Sequence, residues 1–555
     1  MSPKFHKLVL ALPLPVSLAA CGDSAPTPFP RYAMTEVARE AGLRMSLTSG
    51  KTPSTQLLEV KGGGVGLVDA DGDGDLDVFV PNGATLASPD KGPGARLFEN
   101  LGDLRFRDAT RDAGLALDRW GFGCAVGDFD ADGQDDVFVA CYGRNALLRG
   151  RGDGTFEDVT ARAGLRGTHW STAASFGDLD GDGDLDLYVV NYVEFDPDDP
   201  PEPMEFRGAT VFGGPMGLPA AADKVWENRG NGTFQSVSRE WGFRGVPPSY
   251  GLGAVILDLD GDARAEVFVG NDSQANFLFA RGADGRFAER GSASGLALDE
   301  HGWGQATMGI AIGDVDGNGF PDVVTTNFMS DHDTLHLNRG GLVFDDRSRQ
   351  WGLALATMPY LGWACDLVDL DQDGSEELLV FHGHVYAERV TAPMGWRRDQ
   401  EPLLLANAGG RFEPVAASEG GRWLTEAHCD RGAAFGDLDD DGDVDVVVAE
   451  LNGPLRLLRN DGARGRWLRV RLRDRRAGGG NPRGIGARVD VELGDWRGTR
   501  WIVSGTSYQS ASAQEAHFGL GQREGPARVL VRWPDGHEQV VEDAEIDRVL
   551  EVVRR

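Results

Sequence analysis

Along most of this chain, short apolar and β-branched runs are separated by a nine-residue acidic stretch containing glycine, and the order repeats. The best copy reads Asp178-Leu179-Asp180-Gly181-Asp182-Gly183-Asp184-Leu185-Asp186 and leads into Leu187-Tyr188-Val189-Val190. Further copies start at Asp69, Asp128, Asp258, Asp314, Asp369 and Asp437, about 61 residues apart on average. Each follows a glycine-rich apolar stretch such as Gly62 to Val68 and precedes a run such as Val78-Phe79-Val80 or Val446-Val447-Val448. That pattern predicts strand, acidic turn, strand. A second motif alternates with the first. It begins with a Phe (Phe106, Phe156, Phe234, Phe287, Phe344, Phe412) and places a Gly eight residues later. A seventh copy stands at the start, with Met34 in place of Phe and Gly42 at the same spacing.

Seven acidic loops and seven tails, beginning with a tail and ending with a loop, suit a closed ring. A propeller completes its last blade with a strand from the chain's start, whereas an open solenoid needs atypical caps at both ends. The expected fold is therefore all-β: a seven-bladed β-propeller over residues 31–462, followed by a small antiparallel β-domain over 463–555. The second domain is read from alternating runs such as Trp467-Leu468-Arg469-Val470-Arg471-Leu472 and Val529-Leu530-Val531-Arg532-Trp533. The longest insertion, Asn191 to Lys224, is rich in Pro and is expected to project from one face.

Composition agrees with a turn-rich, well-packed protein: 41% hydrophobic residues and 78 glycines in 555 residues. The formal net charge of −32 argues against nucleic acid as a partner and against direct binding to anionic membrane. Residues 1–20 read as an export signal, with Lys4 and Lys7 ahead of the apolar stretch Leu8 to Ala20. That stretch is too short and too broken by Pro13 and Pro15 to span a bilayer. It ends Leu18-Ala19-Ala20-Cys21-Gly22, which resembles a bacterial lipobox, so Cys21 is the expected lipidation site, at the head of a linker over residues 21–30. Membrane contact is then through the lipid alone, in the cell envelope, with outer membrane or cell surface favoured over inner membrane. Cys124, Cys141, Cys365 and Cys429 are too few for a disulfide framework. Whether Cys124 and Cys141 pair stays open.

The acidic loops concentrate 33 of the 87 acidic residues, and their spacing points to a cation. Oxygen ligands at alternate positions of a tight loop, with Gly at position 6, suit Ca2+, which takes six to eight oxygens. The expected ligand sets are Asp69, Asp71, Asp73, Asp75 and Asp77; Asp128, Asp130, Asp132, Gln134 and Asp136; and Asp178, Asp180, Asp182, Asp184 and Asp186. Three more are Asp314, Asp316, Asn318, Phe320 and Asp322; Asp369, Asp371, Asp373, Ser375 and Glu377; and Asp437, Asp439, Asp441, Asp443 and Asp445. Position 7 contributes its backbone carbonyl. An EF-hand would need Glu at position 12, where these loops have Val or Thr. The loop with Asp258, Asp260, Asp262 and Glu266 has Ala263 for Gly and Arg264 at position 7, and is expected to be weak or empty. About six structural calcium sites, seven at most, follow. With free calcium tenfold above a site's dissociation constant, each adds ~1.4 kcal/mol.

The loops resemble FG-GAP (VCBS-type) repeats of integrin-like propellers. Asn481-Pro482-Arg483-Gly484-Ile485-Gly486, Gly505-Thr506-Ser507-Tyr508-Gln509-Ser510, His517-Phe518-Gly519-Leu520-Gly521 and Trp533-Pro534-Asp535-Gly536 resemble the ASPIC/UnbV domain. Together they make the chain similar to the cartilage acidic protein family, as a bacterial lipoprotein member. The resemblance implies an extracellular calcium-binding protein. The cysteine pair it leads one to expect after Tyr192 is missing.

No catalytic residues are identified. His382-Gly383-His384 lacks a third metal ligand, and Ser504, Ser507, Ser510 and His517 lack the spacing of a triad. Trp120, Trp170, Trp303 and Trp363 fit core packing, or sugar stacking at the propeller mouth. The expected function is a binding or adhesion module taking protein or glycan on its loop face, and not an enzyme. The alternative is a calcium-dependent polysaccharide lyase or hydrolase, which rests on fold analogy.

Overall fold

The structure is a computed structural model and describes residues 31–476 and 480–555; the export signal, the linker and Cys21 lie outside the described residues. Seven four-stranded antiparallel blades form the ring. In blade 1 the strands are Gly66–Val68, Asp77–Val80, Arg96–Asn100 and Phe106–Asp108, from the axis outwards. The acidic loop joins the first two strands, and the Phe of the tail motif opens the fourth. Blade 7 supplies only three strands of its own, Asp430–Gly436, Asp445–Glu450 and Leu455–Asn460. Its fourth is Met34–Glu36, antiparallel with Met34 opposite Asn460, so the stray N-terminal tail closes the ring. Blades 2 and 3 are further zipped together where His169 and Trp170 pair with Gly143 and Tyr142.

The Phe-to-Gly spacing has a packing reason. Six of the seven tail glycines turn in the left-handed region against the next blade's Phe backbone; Gly420 instead ends a short helix and lies against Leu424. A Cβ on Gly42 would come 2.3 Å from the Phe106 carbonyl oxygen, and one on Gly295 2.3 Å from that of Phe344. Only glycine allows that approach. The loop's ninth residue couples blades as well. Asp186 accepts the N–H of Leu179 (2.9 Å) and of Asn228 (2.8 Å), and the Asn228 amide donates to Phe129 O of the preceding blade at 2.7 Å. Asn100, Asn338, Asn407 and Asn460 donate across blade boundaries in the same way.

The C-terminal domain has two sheets. One is antiparallel: Trp496–Trp501, Arg488–Leu493, Ala527–Arg532 and Glu538–Ala544. The other is mixed, because Arg466–Asp474 pairs antiparallel with Ala516–Gly521 but parallel with the last strand, Arg548–Arg554. The chain crosses the domain before its end returns beside its beginning, and side-chain alternation does not reveal strand direction. The apolar core of this domain (Leu468, Val470, Phe518, Val529, Trp533) is continuous with that of blades 2 and 3 through Phe129, Phe176 and Leu185. The insertion after Asn191 does not project. Its hairpin, Met204–Phe206 with Ala209–Val211, folds across the mouth opposite the acidic loops, and Phe212 and Phe206 pack on Tyr386 of blade 6 at 5.0 and 5.6 Å.

Candidate metal centres and the domain that covers them

All seven acidic loops coil alike. Positions 4 and 6 both have positive φ, as at Gly72 and Gly74 or Gly181 and Gly183. The position-1 carboxylate accepts the N–H of position 6: Gly133 to Asp128 at 2.7 Å, Gly183 to Asp178 at 3.0 Å, Gly442 to Asp437 at 2.8 Å. This coil turns the carboxylates inward. One oxygen from each of Asp69, Asp71 and Asp73 lies within 4.8 Å of the others, as do those of Asp128, Asp130 and Asp136, of Asp178, Asp180 and Asp186, and of Asp314, Asp316 and Asp322. At position 7, Asp75, Asp184, Gln134 and Phe320 are all half-buried, and Asp443 is buried among the acids of its own loop.

The electrostatics of these clusters fit a hard cation. Burial first, then neighbouring carboxylates, push Asp128 up to about 7, Asp178 to about 6, and Asp77 and Asp322 to about 8. Asp136, Asp186 and Asp445 lie well above the usual range for the same reasons. Asp130 Oδ1, Asp314 Oδ1 and Asp439 Oδ1 are buried acceptors with no hydrogen-bond donor among the described residues. Buried, unsatisfied and mutually repelling oxygens could hold a hard cation such as Ca2+.

The loop of Asp258, Asp260 and Asp262 brings those three carboxylates together like the others, while Glu266 is pushed up to about 9 by burial. Arg264 pairs with Asp262 on the exposed flank. The loop's departure is in its backbone: Ala263 holds φ 65 where the other loops have Gly. Arginines also reach loops of intact pattern, which sequence spacing did not foretell. Arg149 pairs with Asp130 and Asp132, Arg31 with Asp371 and Asp373, and Arg469 with Asp437 at 2.7 Å.

The C-terminal domain sits on these loops. Arg483 donates to Asp135 and Arg488 to Gly319 O, each at 2.6 Å, and Gly521 N–H donates to Gln372 O at 2.7 Å. A Cβ on Gly480 would meet Asp184, and one on Gly536 would meet Ala263. From this seat residues 504–513 enter the axis of the ring. Ile310 and Ser507 exchange backbone hydrogen bonds (2.9 and 2.7 Å), Cys124 N–H donates to Gln509 O at 3.1 Å, and Leu67 N–H to Ala511 O at 2.9 Å. At the tip Tyr508 is fully buried, its ring 4.8 Å from Trp363 and its hydroxyl donating to Lys61 O at 2.7 Å. Two of the serines have structural partners, Ser504 Oγ donating to Val126 O at 2.6 Å and Ser510 Oγ to Tyr508 O at 2.8 Å, whereas Ser507 Oγ is buried without a hydrogen-bond partner among the described residues. His517 Nε2 contacts Gly442 O at 2.8 Å. The acidic face is therefore not an open mouth, which corrects the expectation that a ligand is taken there.

The other chemistry-bearing groups are also built in. His382 stacks on Tyr360 (4.6 Å) and His384 lies against Trp396 (5.6 Å), so the rings serve different neighbours; burial lowers them to about 4 and about 3 and keeps them neutral. Near the axis Lys61 Nζ donates to Asp272 at 2.9 Å, Tyr192 to the same carboxylate at 2.5 Å, and Arg431 stacks over Trp363 at 4.0 Å. Trp120, Trp170 and Trp363 are buried at the axis, whereas Trp303 is 71% exposed. The four described cysteines are buried free thiols; Cys124 stands opposite Val139, not Cys141.

Repeats of this kind, arranged as a ring and closed by a domain on the loop side, define the class of protein. Residues 69–139, 128–189, 258–325 and 314–380 match the FG-GAP-like repeat, and residues 477–555 match ASPIC and UnbV. The chain is an FG-GAP-like repeat protein with a C-terminal ASPIC/UnbV domain, and it is homologous to cartilage acidic protein 1. It is 28% identical to that protein from Xenopus tropicalis over 315 residues, 54% of this chain and 45% of the frog protein. Against the human protein the identity is 27%, over 55% of this chain and 44% of that one. The match thus spans less than half the length of these relatives. Among solved structures, an Agrocybe aegerita lectin that recognises non-reducing terminal N-acetylglucosamine aligns over 70% of this chain and 85% of its own, at 17% identity and a TM-score of 0.35.

Proposed function

We propose that this protein is an exported, lipid-anchored, calcium-loaded propeller that acts as an extracytoplasmic binding or adhesion module for protein or glycan. The observation that carries the calcium reading is the row of identically coiled loops whose carboxylates converge while buried oxygens lack donors. Calcium is structural in this reading: it neutralises the face on which the ASPIC/UnbV domain sits. A partner engages the opposite face and the rim, because that domain occupies the loop side. The module reading agrees with an FG-GAP propeller joined to an ASPIC/UnbV domain. A lyase or hydrolase would need a reachable Lys, Tyr or His beside a cation, whereas Lys61, Tyr192 and Asp272 are each at most 5% exposed and satisfy one another. Anchoring rests on the Cys21 lipobox, and among the described residues no helix is long and apolar enough to cross a membrane.

The test is thermal unfolding with millimolar calcium and with chelator, alongside native mass spectrometry. About six bound ions and a melting temperature higher by tens of degrees are expected; no bound ions and no shift would reduce the acidic loops to turns. Palmitate labelling that is lost in Cys21→Ala tests the anchor.

A further inference from the structure

The cleft between blades 2 and 3 is built unlike the rest of this acidic molecule. The strands Asp186–Asn191 and Lys224–Asn228 pair with Val189 opposite Lys224 and Leu187 opposite Trp226. Strand alternation therefore turns Lys224 and Trp226 to the same face, the one directed at blade 2. Phe138 and Leu165 of blade 2 form the facing wall, and the space between has a volume of about 710 Å³. Pockets for small ligands span roughly 300–1,000 Å³.

Its charge is inverted. The chain carries 87 acidic and 55 basic residues, yet Arg119, Arg144, Arg166, Lys224 and His169 border this cleft with Asp158 as the single carboxylate among the described lining residues. Asp158 already accepts Arg119 at 3.1 Å. Arg144 and Arg166 have no ion pair among the described residues, and Lys224 lies in the field of Glu194 without forming a salt bridge to it. His169 Nδ1 is buried without a hydrogen-bond partner among the described residues, 3.5 Å from the half-exposed Glu194. The base is rigid, because Asn145 donates to Ser171 at 3.0 Å and Ser171 to Asn191 at 2.7 Å. Unpaired guanidinium and ammonium groups above an apolar, tryptophan-bearing wall recognise a ring with an anion on its edge: the ring's C–H face meets Trp226 and the anion meets the cations. An extended peptide would need a free sheet edge, and the strand Lys224–Asn228 is paired on both sides.

We propose that this cleft binds a short anionic saccharide, carboxylated or sulfated, with Arg144, Arg166 and Lys224 as the anion partners and Trp226 as the stacking surface. The proposal rests on the binding-module reading but not on calcium occupancy. The strongly negative remainder of the molecule disfavours long polyanions, so a short or terminal acidic unit fits best.

The test is calorimetric titration of the full chain in millimolar calcium with tri-galacturonate, sulfated galactotriose, neutral galactotriose and a hexaglutamate peptide. Calcium stoichiometry is measured on the same samples, so failure here is separable from failure of the calcium reading. At least one anionic trisaccharide is expected to bind ten times or more tighter than neutral galactotriose, weakening with added salt, and the tighter of the two identifies the anion. Arg166→Glu and Lys224→Glu should each weaken it at least tenfold, and Trp226→Ala at least fivefold. Arg144→Glu and Arg166→Glu alter exposed side chains and should leave the melting temperature unchanged, which separates lost binding from misfolding. No binding of either anionic sugar at 5 mM (about the weakest affinity class of interest), equal binding of the neutral sugar, indifference to the charge reversals, or equal binding of hexaglutamate would each overturn the proposal, the last in favour of an acidic peptide.

Discussion

Tyr508→Ala asks whether the segment in the propeller axis pins the C-terminal domain to the ring. The tyrosine is fully buried, packs edge-on to Trp363 at 4.8 Å, and donates to Lys61 O at 2.7 Å. Truncating a buried aromatic ring costs about 3–5 kcal/mol, the transfer loss and the cavity together. The lost hydroxyl contact is worth about 1 kcal/mol. A working value of about 4 kcal/mol corresponds to roughly a thousandfold in the opening equilibrium. The amides of Cys124, Ile310 and Leu67 donate to this segment, so hydrogen exchange at those positions reads its opening directly. Their exchange should speed up by about a thousandfold in Tyr508→Ala and by about fivefold in Tyr508→Phe, which loses the hydroxyl alone. A change below tenfold in Tyr508→Ala, with global stability lowered as expected, would refute the pinning argument. It would make Tyr508 ordinary core and leave the domain held by its contacts with the loops.

Further outcomes follow from the loops and blade boundaries. Ala263→Gly removes a left-handed alanine (φ 65) and should raise stability in urea unfolding by about 0.5–1 kcal/mol, the relieved strain exceeding the added chain entropy. Asn228→Ala removes amide contacts to Phe129 O at 2.7 Å and Leu185 O at 3.1 Å and should cost about 2 kcal/mol, read in the same assay. In chelator the folded-state carboxyls at Asp128, Asp178 and Asp322 lie above their unfolded values, so the stability they contribute is present at low pH and lost as pH rises through about 6 to 8. Melting temperature in chelator should therefore rise on acidification from pH 8 to 5, whereas with calcium it should fall, because protons then compete with the ion. Parallel slopes would contradict calcium ligation by these groups. The buried thiols Cys124 and Cys141, both pushed up to about 12 by burial, should stay unreactive toward a disulfide reagent until the protein unfolds.

Much of this architecture was legible because it is local and repeated. The spacing from Asp178 to Asp186 is enough to specify one coiled loop, and seven copies alternating with seven tails left a closed ring as the consistent count. The Phe-to-Gly interval was visible as a pattern, but its cause, the carbonyl of the next blade at the glycine, appears only when blades are side by side. The insertion after Asn191 was recognisable as an insertion. That it folds back onto Tyr386 depends on residues nearly two hundred positions away. Parallel pairing of Arg466–Asp474 with Arg548–Arg554 left no mark, since a half-buried strand alternates the same way in either direction.

Within the functional surface the division is similar. Loop chemistry is written in the order of side chains along a nine-residue stretch, so the sequence alone marked the acidic loops and set apart the one with Ala263 and Arg264, while the carboxylates that meet differ from loop to loop. Three matters were decided by tertiary structure: the acidic face is covered, Tyr508 fills the axis, and cations from separate segments of blades 2 and 3 meet in one cleft. Each depends on two surfaces brought together by packing, and neither surface carries in its own local pattern any record of what it faces.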